Sequence, residues 1–176
     1  RCQEHWHQRW YPVAYLKDLD RLRPTPFTLL GRDLVLWWDA AADRWRAFAD
    51  VCPHRLVPLS EGRLNDKGEL ECPYHGWSFN GEGRCTAIPQ APEGSSPSPQ
   101  RSQCRRYATA EAQGLLFVFS GDAATAAEAP LPLVPVLQEQ AGGWADGWLV
   151  QDTFRDLPMD ALTLLENVLD VSHVPF

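Results

Sequence analysis

Two short runs carry the residues best suited to chemistry: Cys52-Pro53-His54 and Cys72-Pro73-Tyr74-His75. Each supplies one thiolate and one imidazole, and residues 55–71 between them are long enough for a hairpin that returns the second run to the first. Four ligands of that mixture bind a metal. A structural zinc ion is one candidate, although such sites usually draw Cys with Cys and His with His from separate elements. The other is a [2Fe-2S] cluster in which two His replace two Cys on one iron, a coordination met by one Cys and one His from each of two loops. Neutral imidazoles leave less negative charge on such a cluster, so it accepts an electron more readily than a four-Cys one. On that reading Cys52 and Cys72 hold the inner iron, and His54 and His75 the outer, solvent-side iron.

The surrounding sequence must fold both runs into loops that face each other. Pro follows each Cys, fixing its own φ and removing a backbone donor, and the N–H groups that remain in such a stiffened loop can point at cluster sulfurs and tune the metal. Residues 65–68 read as the tip of the hairpin between the loops. Gly76 permits close backbone approach, and Trp77 is expected to shield the metal from water. Tyr74 reads as a packing residue, and Ser78 either as a capping residue or as a hydrogen-bond partner of the cluster region.

Upstream, the lead-in containing His5 and His7 is polar, and both imidazoles read as solvated. The alternation in W-Y-P-V-A-Y then predicts a first strand. Residues 16–22 form a polar connector with one helical turn, and strands follow over 27–30, 33–38 and 45–50, joined by a turn at Gly31 and a loop over 40–44. Downstream come a turn over 81–83, a strand over 84–88, a Pro-, Ser- and Gly-rich loop over 89–99, and closing strands over 105–109 and 115–120. Cys85 and Cys104 read as small buried residues rather than redox thiols. Closely spaced short strands predict a mostly β fold, a small antiparallel barrel or sandwich with two metal-binding loops. That domain is expected over 1–121. An aperiodic stretch rich in Ala and Pro over 122–143 marks a boundary, and 144–176 would begin an α+β domain, with a strand over 144–154.

Composition narrows the class. Of 176 residues, 44% are apolar and eight are Trp, enough for a sizeable core. The net charge of -7, with no dense run of Lys or Arg, argues against a nucleic-acid partner. Five Cys without a signal peptide point to free thiols in a reducing, cytosol-like compartment rather than a disulfide framework. No stretch approaches the roughly 18 apolar residues of a membrane span. A chain that starts at Arg1 and stops at Phe176 in mid-motif reads as a piece of a longer protein.

Beyond the ligand runs themselves, D-V-C-P-H-R-L-V-P-L-S-E-G-R (50–63), C-P-Y-H-G-W-S-F (72–79), C-T-A-I-P-Q-A (85–91) and P-T-P-F-T-L-L-G-R-D-L-V-L-W (24–37) resemble the Rieske non-haem iron oxygenases, and within them the pheophorbide a oxygenase-like group. Rieske proteins of respiratory complexes carry an extra Cys in each ligand loop. Neither loop here has one, which favours the oxygenase branch.

The resemblance extends to a second constellation. Pro158 and Asp160 introduce a helix whose apolar positions, Ala161, Leu162, Leu164, Leu165, Val168 and Leu169, fall at helical spacing. Glu166, Asn167, Asp170 and His173 lie on the same stretch, and Asp170 and His173, three apart, would share a face. In isolation such a pair is ordinary helix surface. The string L-E-N-V-L-D-V-S-H-V-P-F, however, resembles the family's mononuclear iron motif. By that resemblance His173 is an Fe(II) ligand, with a second His and a carboxylate beyond Phe176 completing a facial triad. Asp170 would bridge His75 of one subunit and His173 of its neighbour in a head-to-tail homotrimer.

The family further implies a ferredoxin or other reductase as electron donor, O2 as co-substrate, and a chlorophyll-derived tetrapyrrole as substrate. The compartment would be cytoplasmic or associated with thylakoid or chloroplast membranes, with any membrane contact made by residues outside this chain. The alternatives are a Rieske-type electron carrier and a redox-sensing subunit, neither with a substrate of its own. A carrier would end near residue 120, and the helix bearing Asp170 tells against it.

Overall fold

The run L-V-L-W-W at 34–38 lies at the centre of the structure because it has no polar face to give to water. The computed structural model describes residues 6–92, 102–137, 151, 153, 155 and 157–170. Among them the protein is mostly β: β1 (Trp10–Tyr15), β2 (Thr25–Leu29), β3 (Arg32–Asp39), β4 (Arg44–Ala49), β5 (Arg63–Leu64), β6 (Leu70–Glu71), β7 (Ser78–Phe79), β8 (Cys85–Ala87), β9 (Arg106–Tyr107), β10 (Thr109–Ala112), β11 (Leu115–Phe119) and, after them, α1 (Ala161–Leu169). The strands form three antiparallel sheets, ordered β1-β11-β10, β2-β3-β4-β9 and β5-β6-β7-β8.

β3 divides two cores. Alternate residues of a strand point to opposite faces, and here Leu34, Leu36 and Trp38 join Trp45, Ala47, Leu116 and Val118 in one cluster. Val35 and Trp37 join Phe48, Leu59, Leu70, Phe79 and the thiols of Cys52 and Cys72 in the other. The third sheet, whose strands are only two or three residues long, has few ladder hydrogen bonds. Six fully buried side chains of the second core (Val35, Trp37, Phe48, Leu59, Leu70, Phe79) contribute on the order of 10 kcal/mol by burial, so packing against β3 and β4 is what holds that sheet. A polar clasp reinforces it: Arg46 donates to the buried Asp39 carboxylate at 2.9 Å. A Cβ at Gly81 would lie 1.9 Å from that carboxylate, so any side chain in the turn before β8 would have to displace the pair.

The strands expected around 10–15, 27–30, 33–38, 45–50 and 115–120 are present within a residue or two, and the hairpin tip at 65–68 closes with Gly68 N–H donating to the Asn65 carbonyl at 2.8 Å. Two expectations change. The single strand read over 105–109 is two strands in different sheets, because the chain switches at Ala108: Arg106 and Tyr107 pair with β4, whereas Thr109 begins the pairing with β11. The Ala- and Pro-rich stretch also carries a 3-10 segment, Ala123–Glu128, capped by the Asp122 carboxylate. It lies against the barrel: Trp10 Nε1 donates to the Ala129 carbonyl at 2.9 Å, and the Gln113 amide exchanges two hydrogen bonds with the backbone of Val134. The strand expected over 144–154 lies largely outside the described residues.

α1 forms where its sequence predicts. Asp160 caps it, accepting from the N–H groups of Leu162 and Thr163 at 2.9 and 3.0 Å. Those bonds, the Thr163 N–H foremost, hold its carboxyl below the usual carboxylate range. The helix is exposed along its length and stops at Leu169. Asp170 has left helical geometry (ψ 91°) and is the C-terminal cap; His173, expected to share its face, lies outside the described residues.

Candidate metal centre

The two ligand runs fold into loops of one design. In the first, Cys52 N–H donates to the Val57 carbonyl at 2.8 Å and Leu56 N–H returns to the Cys52 carbonyl at 2.9 Å. In the second, Cys72 N–H donates to Trp77 at 2.9 Å and Gly76 N–H returns to Cys72 at 3.1 Å. Each loop turns through a left-handed residue at the same place, Leu56 (φ 59°) and Gly76 (φ 70°). The frames match although the His comes two residues after Cys in one loop and three after in the other.

This design pairs the two predicted thiols with each other and the two predicted imidazoles with each other. The Cys52 and Cys72 thiols are buried and hydrogen-bonded to each other. Burial pushes the free Cys52 thiol up to about 11, opposed by the N–H groups of His54 and Arg55, which point at its sulfur as expected of a loop built to hold sulfur charge. The imidazoles of His54 and His75 lie together at the rim, ring centroids 4.7 Å apart. Desolvation, then the neighbouring His75 and Arg55, pulls His54 below its ordinary value, which favours the neutral form that binds metals.

The donor set tests what fits there. Nδ1 of His54 and Nδ1 of His75 are both buried without a hydrogen-bond partner. A buried polar atom left unpaired is costly and rare, and two such atoms beside two buried thiols are the donors a metal group would satisfy. They form a sulfur pair inside and a nitrogen pair outside. Among the described residues no three His, Cys, Asp or Glu converge as a site for a single ion. The arrangement suits a group with two metal atoms better than one tetrahedral zinc.

A sequence profile of the Rieske [2Fe-2S] domain matches residues 9–108, which include all four. The chain belongs to the Rieske [2Fe-2S] family. It is 47% identical to chloroplastic pheophorbide a oxygenase of Arabidopsis thaliana over 97% of its own length and 32% of that protein's. It is 36% identical to flavonoid 8-hydroxylase 2 of Ocimum basilicum, over 97% of this chain and 33% of the relative. Among solved structures it resembles NdmA of Pseudomonas putida (TM-score 0.68, 28% identity, 78% of this chain and 41% of that one). It also resembles apo dicamba monooxygenase (TM-score 0.61, 34% identity, 68% and 35%). The chain thus spans about a third of the length of the curated relatives it matches.

Around the four candidate ligands, Trp77 stacks on His54, ring centroids 4.5 Å apart and the rings 3° from parallel. Tyr74 lies 4.0 Å from the His75 ring and is exposed. Ser78 is buried, takes a hydrogen bond from Asn65 Nδ2 at 3.3 Å and donates to the Gly76 carbonyl at 3.4 Å, so it serves the loop backbone. Cys104 is buried and Cys85 half-buried, and burial raises both thiols, as befits inert packing residues.

Three supports were not foreseen in the sequence. The Asp50 carboxylate clamps Ser60, accepting from its N–H at 2.7 Å and its hydroxyl at 2.5 Å, and so fastens the base of the first loop. Leu56 occupies a left-handed position with no local marker for it. Gln90 reaches back to the second loop. Of these only Asp50, adjoining a ligand run, lay where a local signal could have been sought. Among the described residues no helix is long and apolar enough to cross a membrane.

Proposed function

We propose that Cys52, His54, Cys72 and His75 ligate the [2Fe-2S] cluster of a terminal oxygenase whose cluster domain occupies residues 1–121 and whose catalytic domain begins within 144–176. The observation that carries the ligand assignment is the pairing of two buried thiols with two buried, unpartnered imidazole nitrogens. A cluster held this way supplies one-electron transfer. The protein's part is to keep the sulfur side dry, to present both imidazoles at the rim and to cover His54 with Trp77.

The oxygenase reading rests on similarity to pheophorbide a oxygenase and on α1, an element beyond the cluster domain that a simple carrier has no use for. One of the dicamba monooxygenase structures holds non-haem iron. Here His173 is proposed as one ligand of a mononuclear Fe(II), and Asp170 as the carboxylate that orients His75 and His173 across a homotrimer contact. The substrate is a chlorophyll-derived tetrapyrrole, the electron donor a ferredoxin and the co-substrate O2. The named relatives are chloroplastic proteins, which favours that compartment.

The test is O2 uptake by the full-length protein with reduced ferredoxin, with and without pheophorbide a. The proposal expects tetrapyrrole-dependent uptake and more iron per chain than the cluster accounts for. Uptake indifferent to the tetrapyrrole, with cluster iron alone, would leave a redox carrier or sensor. Asp170→Asn should keep both iron centres loaded and abolish coupled turnover; normal product formation would remove the bridge.

A further inference from the structure

The run C-T-A-I-P-Q-A at 85–91 contains none of the four ligands, yet the structure sets it against the second ligand loop. Thr86 Oγ1 donates to the Ser78 carbonyl at 3.2 Å, just past that loop. A turn closed by Ala91 N–H on the Ile88 carbonyl (3.0 Å) then brings Pro89 and Gln90 onto the loop itself. A Cβ at Gly76 would stand 3.1 Å from the Pro89 ring. Gln90 Nε2 donates to the backbone carbonyl of His75 at 2.9 Å.

We propose that Gln90 is a positioning residue for His75: its side-chain amide fixes the His75–Gly76 peptide and thereby aims the His75 imidazole at the metal group. The geometry makes the connection. The His75 carbonyl belongs to the peptide unit that enters the left-handed turn at Gly76, whose N–H is already tied to Cys72. Anchoring the carbonyl as well fixes that peptide plane, and with it the direction in which the His75 side chain leaves the backbone. The first loop is fastened differently, at its base by Asp50 and Ser60. Groups that orient a metal ligand without touching the metal commonly alter metal retention by 10- to 100-fold when removed. Gln90 is exposed, which places it at the lower end of that range.

The inference rests on His75 being a cluster ligand, and three variants of the full-length protein separate the two claims. Gln90→Ala removes the side chain, Gln90→Met keeps its length without a donor, and Gln90→Lys keeps a donor. The readouts are the EPR line shape of the dithionite-reduced protein and the rate at which a ferrous chelator bleaches the cluster. Positioning by the amide donor predicts that Ala and Met both broaden the signal and bleach about tenfold faster, while Lys restores wild-type behaviour. Overturning results are Met matching wild type, which would make the contact mere packing, Lys matching Ala, or all three matching a wild type that shows the histidine-ligated signal. A wild type without that signal would overturn the ligand assignment first and the positioning role with it.

Discussion

The loops at 52–57 and 72–77 share a hydrogen-bond frame but differ at the residue that turns left-handed, Leu56 in one and Gly76 in the other. At 76 a side chain would press on Pro89. At 56 the side chain stands 75% exposed, so nothing crowds it and the cost is only that of the backbone conformation, about 1–2 kcal/mol. The second loop is therefore covered at its turn, against Pro89, and latched through Gln90, though Pro73 and Tyr74 stay exposed, while the first is open at its turn and held at its base by Asp50. Two loops with one backbone frame reach it by different supports, and the supports decide which substitutions each tolerates.

The comparison breaks most severely if either half of the ligand set is removed. Cys52→Ala and Cys72→Ala, or His54→Ala and His75→Ala, should each abolish cluster absorbance and cluster iron, whichever loop is touched; one loop retaining a cluster alone would contradict equivalence. The next largest effect separates the loops. Gly76→Ala must take a left-handed conformation and meet Pro89, and should lower unfolding free energy by roughly 2 kcal/mol in denaturant titration. Ser60→Ala removes the hydroxyl bond of the clamp on the first loop while its backbone N–H bond to Asp50 stays, and should cost about 1–2 kcal/mol, with faster amide exchange confined to residues near 50–60. Smallest is Leu56→Gly, which relieves the left-handed strain at an exposed site and should raise stability by about 0.5 kcal/mol. A loss on Leu56→Gly equal to that of Gly76→Ala would show that the first tip is enclosed after all.

These differences mark what could be read in the sequence. β1, β3, β4 and β11 are aromatic and aliphatic runs bounded by turn residues, and local pattern sufficed for them. The candidate ligands were equally plain, because Cys-Pro followed by His twice in 24 positions, 52 to 75, has a chemical meaning that survives any fold. β10 was not legible: T-A-E-A has little strand character, and it is a strand because Trp45 and β11 use it, Thr109 Oγ1 donating to the Trp45 carbonyl at 2.7 Å. The 3-10 segment after Asp122 lacks any period for the same reason, its place being set by Trp10 and Gln113 far away in sequence. Gln90 acts through one tertiary hydrogen bond and Ser60 through two to Asp50, and neither arrangement leaves a periodic trace. The end of α1 at Leu169, with Asp170 as its cap, was not legible, because apolar spacing gives no sign of where a helix ends.

The central claim is that two sulfurs and two imidazole nitrogens hold one diiron cluster, and pulsed EPR of the dithionite-reduced full-length protein tests it most directly. The account predicts a rhombic signal of low average g with hyperfine coupling from two imidazole nitrogens, both lost in the His54→Ala, His75→Ala double variant. A reduced protein showing no nitrogen coupling, or one whose loops hold zinc and give no signal, would contradict it.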